Sequence, residues 1–242
     1  MNKILSSIKS GELEEIGRGS YGIIYKYKGE NKVIKFSKNK GQFNTYKNEY
    51  KVQKDIYNCY KKYFDENIKK YVRIAKPNNF KSNHQICSFE MQYIDSFKEA
   101  VLQGYFGTPE YQYLVDGRGI YLGLKQLNEY FQTIEFKIPM SKIIFNVGYL
   151  IGFVQYVCKH TANDTEITID KNGIIYMIDF GKSEKYIDPD IEILAWSLFS
   201  EPYYPREDFE YYDEFESGYL KAAKEAGMEY LALSVLFEMN EK

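Results

Sequence analysis

The stretch Lys159–Lys182, reading KHTANDTEITIDKNGIIYMIDFGK, constrains the fold of this chain more than any other. Two runs of β-branched and aromatic residues, Ile167–Ile169 and Ile174–Ile178, flank Lys171-Asn172-Gly173. An Asn-Gly pair between such runs is a strong hairpin signal, because both residues tolerate the positive φ of a tight turn. Asp179-Phe180-Gly181 follows the second run directly. A carboxylate at the end of a buried strand, followed by a glycine that lets the chain bend, can present its oxygens to a metal ion.

Upstream, Leu13–Gly17 reads as a short strand leading into Gly17-Arg18-Gly19-Ser20-Tyr21-Gly22. Ile23–Lys28 reads as the return strand, Gly29-Glu30-Asn31 as a turn and Lys32–Ser37 as a third strand. A glycine-rich hairpin tip needs no ligand to explain it. Here β-type residues follow Gly22, so the loop joins two strands instead of opening a helix, unlike a dinucleotide fingerprint. Strand alternation puts Lys35 on one face with Val33, and Ile34 and Phe36 on the other. A strand lysine is either an edge charge or a ligand for phosphate. Gln42–Phe64 has the period of a helix, with Tyr46, Tyr50, Ile56, Tyr60 and Tyr63 toward one side,. Glu49 lies in its early turns, either solvated or facing a cation. Tyr71–Pro77 and Gln85–Ile94 read as two more strands.

Glycine loop, strand lysine, helix glutamate and Asp-Phe-Gly occur in the order that resembles the protein-kinase-like superfamily, over roughly Leu13 to Gly181,. The resemblance implies an α+β, bilobal protein-kinase-like fold. Residues 1–94 would form an antiparallel β N-lobe, and residues 95–242 a truncated, mostly helical C-lobe. It also implies ATP and Mg²⁺ as ligands. Gly17, Gly19 and Gly22 would cover the phosphates, and Lys35, paired with Glu49, would bind them. Met91 would line the back of the nucleotide pocket, with the backbones of Gln92 and Ile94 at the adenine edge. Glu166 and Asp179 would hold the metal.

The catalytic loop departs from the family pattern. Counting back about thirteen residues from Asp179 lands on Glu166, where the family has a metal-binding Asn,. Glutamate is an adequate oxygen ligand. The position of the usual aspartate base falls on Thr161, which cannot accept a proton as a carboxylate does. Asp164, beside Asn163 and near His160, is the nearest carboxylate. It either takes the role of base or only caps the turn before the strand.

The remaining text is read more coarsely. Val101–Tyr105, Gly117–Gly123 and Leu124–Phe131 are taken as helix, loop and helix. Ser141–Cys158 reads as a buried helix capped by Ser141, with Ile144, Val147, Ile151, Val154 and Cys158 on one face,. A helix Asp188–Phe199 opens with proline just inside its start, and helices Tyr211–Ala226 and Met228–Met239 follow. There is no long activation segment and no Ala-Pro-Glu after Gly181. The segment around Gly218-Tyr219 is similar to the tail of aminoglycoside-phosphotransferase-like and other compact kinases.

A net charge of −2 gives no electrostatic case for nucleic acid or acidic membranes,. Cys59, Cys87 and Cys158 are scattered, and with only two histidines a zinc site is not expected,. They read as free thiols in a reducing, cytoplasmic compartment. No apolar run of about 18 residues stands out as a membrane span. Three functions are compatible with this text. The first is an ATP-dependent protein kinase acting on Ser or Thr hydroxyls of a protein substrate. The second is a pseudokinase that serves a binding partner as a nucleotide-binding scaffold, and the third is a small-molecule phosphotransferase.

Overall fold

The computed structural model describes residues 6–7, 10–18, 22–37, 40–82, 86–95, 101–107, 112–115, 119–133, 138–170, 172–200 and 203–242. The chain is α+β, with an N-terminal antiparallel five-stranded sheet followed by a mostly helical C-terminal region. The first sheet holds β1 (Leu13–Arg18), β2 (Gly22–Tyr27), β3 (Lys32–Ser37), β5 (Pro77–Ser82) and β6 (Cys87–Gln92) in the order β1-β2-β3-β6-β5. Helix α1 (Phe43–Tyr63) packs against it, with Tyr46 of the helix set against Cys87 and Phe89 of β6. Short helix α2 (Glu66–Lys69) and β4 (Val72–Ile74) then carry the chain out of this sheet. Two buried bonds fix that exit: Gln53 Nε2 donates to the Ala75 carbonyl (2.8 Å), and the Tyr60 hydroxyl to the Val72 carbonyl (3.0 Å).

β4 joins a second sheet, in the order β4-β11-β10-β7-β9-β8. It pairs parallel to β11 (Ile175–Ile178), which forms an antiparallel hairpin with β10 (Glu166–Ile169). The hairpin turn is closed by Asp170, whose Oδ1 accepts from Asn172 N and Ile174 N, with Gly173 at φ 79°. Beyond β10 lie β7 (Val101–Tyr105), β9 (Gly119–Gly123) and β8 (Gln112–Val115). The readings of Val101–Tyr105 as helix and of Gly117–Gly123 as loop are therefore corrected, the second over Gly119–Gly123, since Gly117 and Arg118 lie outside the described residues. Val101–Tyr105 pairs with β9 and with the much later β10, and such pairing leaves little local trace,; β9 pairs with β7 as well as with its chain neighbour β8. Gly104 marks the place: a Cβ there would run into the ring of Phe106, which folds back beneath it. Tyr71–Pro77 is likewise not one strand, because β4 ends at Ile74 and Pro77 opens β5.

The helices are α3 (Leu124–Thr133), α4 (Met140–Gly152), α5 (Ile191–Phe199), α6 (Tyr212–Glu225) and α7 (Glu229–Asn240). α4 starts at Met140 with Pro139 in the cap position and no side-chain cap bond, so Ser141 is not the cap. α5 starts three residues later than expected, because Asp190 caps it by accepting from Ile193 N at 3.2 Å. α4 runs into a π-helical turn, Phe153–Val157. Together they form an 18-residue segment, Met140–Val157, long and apolar enough to qualify as a membrane span by composition. This corrects the reading that no such run exists. Within this fold the segment is 78% buried.

α4 and α6 cross at backbone contact. Cβ atoms on Gly148 and Gly218 would fall inside the van der Waals radii of the Phe215 and Phe145 carbonyl oxygens respectively. Helical glycine costs about 1 kcal/mol in propensity, and here it permits the approach that buries Ile144, Val147, Phe215 and Tyr219 together. Cys59 of α1 and Cys158 at the end of the π turn form a disulfide, with Cα atoms 5.8 Å apart, while Cys87 is free and buried. The expectation of three free thiols is corrected, and with it the thiol argument for a reducing compartment. The pairing joins residues 99 apart in sequence.

Two stability measurements follow. Gly218→Ala is expected to cost roughly 1–3 kcal/mol through forced helix separation. Gly41→Ala, where a Cβ meets nothing within 4 Å, should stay within ~0.5 kcal/mol; equal urea midpoints for the two variants would refute the close crossing. Reductant should lower the urea midpoint of wild type by the equivalent of up to ~4.7 kcal/mol, the chain-entropy value for a loop of this size. It should leave Cys59→Ser unchanged. A wild type indifferent to reductant would mean that the two thiols do not pair in solution.

Candidate functional site

Lys35 stands on β3, the strand between β2 and β6, on the face covered by α1. Its Nζ lies 2.6 Å from Glu49 Oε1 and 3.4 Å from Asp179 Oδ1. The structure thus brings together residues from the first sheet, the first long helix and the end of the β10–β11 hairpin. Lys35 and Glu49 are buried, whereas the Asp179 side chain is 45% exposed. Burial by itself would lower the Lys35 pKa, but the two carboxylates outweigh it and hold the lysine above its ordinary value. Burial pushes the Glu49 carboxyl upward, against the pull of Lys35. The short contact with Glu49 and the flanking Asp179 carboxylate keep the proton on Lys35, so the pair is ionised. One ammonium and two carboxylates leave the cluster a formal charge of −1, open to solvent on the Asp179 side.

Tyr46 braces the cluster, a residue that sequence reasoning used only as helix periodicity. Its hydroxyl donates to the Phe36 carbonyl at 2.7 Å and lies under Gly22, where a Cβ would collide with it. Gly22 is therefore also a packing glycine. Gly17 sits in β1 opposite Ile24, beside a register shift, and Gly19 lies outside the described residues. Met91 is half-buried against Tyr46, Cys87 and Phe89. Gln92 ends β6 opposite Lys32, and Ile94 follows in the segment leaving the sheet.

The bend at Asp-Phe-Gly is taken by the aspartate. Asp179 has φ 57°, whereas Gly181 is not among the residues at positive φ. Lys159, Ala162 and Asp164 share this left-handed conformation, at φ 57°, 58° and 55°. For residues other than glycine this costs on the order of 1 kcal/mol each, and such strain gathers at functional sites. The loop is held by named bonds. Thr161 N donates to the Glu184 carbonyl (2.8 Å) and Thr161 Oγ1 accepts from Glu184 N (3.1 Å). Ala162 N donates to Ser183 Oγ (3.1 Å), and Thr165 Oγ1 donates to the Ala162 carbonyl (2.8 Å). Thr161 is buried and committed to this clamp.

Beneath the loop, Gln155 of the π turn is a fully buried hub. Its Nε2 faces Ser197 Oγ, the Leu194 carbonyl and the Thr161 carbonyl at 2.7, 3.1 and 3.3 Å, and its Oε1 accepts from the Tyr219 hydroxyl. Asp164, by contrast, is 41% exposed and paired with Lys182 Nζ at 3.1 Å. Lys182 was missed in the sequence reading; its position directly after Gly181 was the available signal. Glu166 is half-buried, accepts from the Tyr203 hydroxyl at 3.4 Å, and pairs in register with Ile178, the residue before Asp179. Glu166 and Asp179 thus lie at neighbouring strand ends. Their carboxylate oxygens are hard donors of the kind that suit Mg²⁺. Among the described residues no group of three or more His, Cys, Asp or Glu side chains gathers around one point. A separate cavity of about 320 Å³, lined by Phe106, Leu124, Asn128, Glu129 and Phe209 among others, shares no residue with this site. No family model and no curated protein matches the chain.

His160 is buried, with Nδ1 donating to the Cys158 carbonyl at 2.8 Å and Nε2 without a partner. Burial lowers its pKa below 6.5. The unfolded imidazole therefore takes up a proton at a pH where the buried one does not, and the unfolded state binds more protons. The corresponding stability is present above pH ~6.5 and is lost as the pH falls. Denaturant midpoints of His160→Gln are expected to fall less steeply than wild type between about pH 7 and pH 5. Parallel slopes would mean that His160 protonates freely in the fold.

Proposed function

We propose that this chain is an ATP-dependent phosphotransferase with a divergent, bilobal protein-kinase-like fold, transferring the γ-phosphate of ATP to a Ser or Thr hydroxyl of a protein substrate. The observation that carries this reading is the Lys35–Glu49–Asp179 cluster. A sheet lysine, clamped by a helix glutamate, is aimed at a carboxylate from the far hairpin across the junction of the two parts of the chain. Phosphoryl transfer is mostly positioning and charge stabilisation, and this is the apparatus it needs. The order β1-β2-β3-β6-β5, with the helix bearing Glu49 on one face, supports the same reading.

On this reading Lys35 binds the α- and β-phosphates of ATP, and Glu49 fixes its ammonium in place. The β1–β2 turn covers the phosphates, and the backbone of Gln92 and Ile94 meets the adenine beyond Met91. Glu166 and Asp179 hold Mg²⁺, which when bound neutralises phosphate charge. Asp164 is the general base: it stands in a strained, partly exposed turn where an acceptor hydroxyl can reach it. Lys182 orients its carboxylate.

The buried clamp of Thr161 on Glu184 favours a second reading, a nucleotide-binding scaffold without transfer. The two part in a paired assay of thermal shift with Mg-ATP and transfer of labelled γ-phosphate to generic protein substrates. Saturation at 100 times Kd should add about 2.7 kcal/mol of stability. Lys35→Met should lose both stabilisation and transfer. Asp164→Asn should keep ATP affinity and lose ~10²–10⁴-fold in transfer. Tight binding with no transfer by wild type supports the scaffold, and a wild type indifferent to Mg-ATP removes both readings.

A further inference from the structure

Nine large hydrophobic side chains are exposed among the described residues, and seven of them fall between Ile187 and Phe237. They belong to α5, its lead-in and α7, two helices that pack against each other. α7 is apolar on both sides. Ala232, Val235, Leu236 and Met239 face the core, while Tyr230, Leu233 and Phe237 form an outer stripe at i, i+3 and i+7,. α5 repeats the pattern, with Leu194, Ala195 and Leu198 inside and Ile193 and Trp196 outside. Tyr230, Phe237 and Trp196 are 89%, 68% and 56% exposed. A surface helix normally turns its second face polar, and concentrated exposed aromatic residues mark docking surfaces.

The charges around this face identify its occupant. Glu229, Leu233, Phe237 and the C-cap Glu241 follow one another at intervals of four along α7 and its end, so the apolar centre is bracketed by an acid at each end,. Between Ile187 and Phe199 the chain carries Asp188, Asp190 and Glu192 and no Lys or Arg. Between Met228 and Lys242 it carries three glutamates against Lys242, whose Nζ is engaged by Glu238 at 3.2 Å. Two copies meeting through this face would set one acidic rim against another, and an anionic lipid surface would repel it. We infer that the α5–α7 face binds a cationic amphipathic helix of a partner protein, its apolar stripe on Trp196, Leu233 and Phe237 and its Lys or Arg residues on the acidic rim. Helix-in-groove recognition works through such spaced apolar anchors. The inference stands independently of the phosphotransferase reading.

Trp196 is the single tryptophan of the chain, so its fluorescence reports directly on this face. A synthetic Leu/Lys amphipathic helix titrated onto the full chain should give a saturable blue shift, weakened by added salt. A scrambled peptide of the same composition should bind at least tenfold more weakly, as should the amphipathic peptide to Phe237→Glu or Tyr230→Glu, both substituted at exposed positions. Circular dichroism and the unfolding midpoint check that these variants are folded. Equal binding of the scrambled peptide, or of an acidic amphipathic helix, would overturn the inference. So would sedimentation showing a wild-type dimer that Phe237→Glu dissociates, or a Trp196 blue shift on phosphatidylserine vesicles.

Discussion

The contact on which the most depends is the 2.6 Å ion pair between Lys35 and Glu49, both buried. Such a pair is poor value as a source of stability, because desolvating two charges cancels most of their attraction, and apolar residues of similar volume often serve as well or better. It does fix geometry. Removing one partner would strand the other charge at a cost of about 3–5 kcal/mol, so α1 is held to β3 at one rotation and one height. Tyr46, three residues before Glu49 and therefore on the same helix face, then reaches the Phe36 carbonyl beneath Gly22. Asp179, at 3.4 Å, ties the hairpin end to this frame while its side chain stays open to solvent. A pair that contributes little net stability but sets the position of three elements is the arrangement that the proposed phosphate-binding role requires.

The loop on the far side of the site is built on the opposite principle, strain held by hydrogen bonds. Lys159, Ala162 and Asp164 take positive φ within one short stretch, as Asp179 does at the hairpin end, and none has the conformational freedom of glycine. The compensation comes from below. The π turn places Gln155 so that one side chain meets the loop, α5 and α6, while the Tyr186 hydroxyl donates to its backbone carbonyl. π-helical turns are uncommon and recur at functional sites, since the extra residue re-aims the chain that follows. Here that chain is Cys158 to Thr165, and the disulfide to Cys59 anchors its first residue to the same helix that carries Glu49. The two sides of the site are thus mechanically joined.

Much of this frame was legible in the sequence, for reasons that differ by element. The β10–β11 hairpin is local, and Asn172-Gly173 between two β-branched runs specifies it. The three N-terminal strands follow one another closely in the chain, and Gln42–Phe64 has an unbroken helical period. What was not legible depends on partners distant in the chain. Val101–Tyr105 is five residues long and becomes a strand only because β9 and β10 flank it. Gly148 and Gly218 read locally as weak points in helices; their purpose exists only where the two helices cross. Cys59 and Cys158, 99 residues apart, gave no spacing signal. Around the site, the apposition of Glu166 to the residue before Asp179 follows from hairpin register. Tyr46 as a brace, Thr161 as a clamp and Lys182 as partner to Asp164 required the three-dimensional arrangement.

The threonine at position 161 has a physical logic. A threonine there uses both its amide and its hydroxyl on Glu184, donating with one and accepting with the other. An aspartate could accept from Glu184 N, but it would place a negative charge in a nearly sealed site beside a carbonyl oxygen, with no cation described next to it. Burying an unpaired carboxylate costs far more than one hydrogen bond returns. The clamp also sets the path of Gly181 to Lys185 against the loop, with Ser183 beneath Ala162 and Lys182 brought to Asp164. Thr161 and the Asp164 carboxylate are therefore parts of one arrangement. Thr161 closes the loop onto the segment after Asp-Phe-Gly, and that closure supplies Asp164 with a counter-charge while leaving it within reach of solvent. A proton acceptor in phosphoryl transfer has to meet the incoming hydroxyl and needs little intrinsic basicity, because the proton leaves late. In the proposed reaction an exposed, lysine-held Asp164 meets that requirement better than any group at position 161 could while the clamp remains.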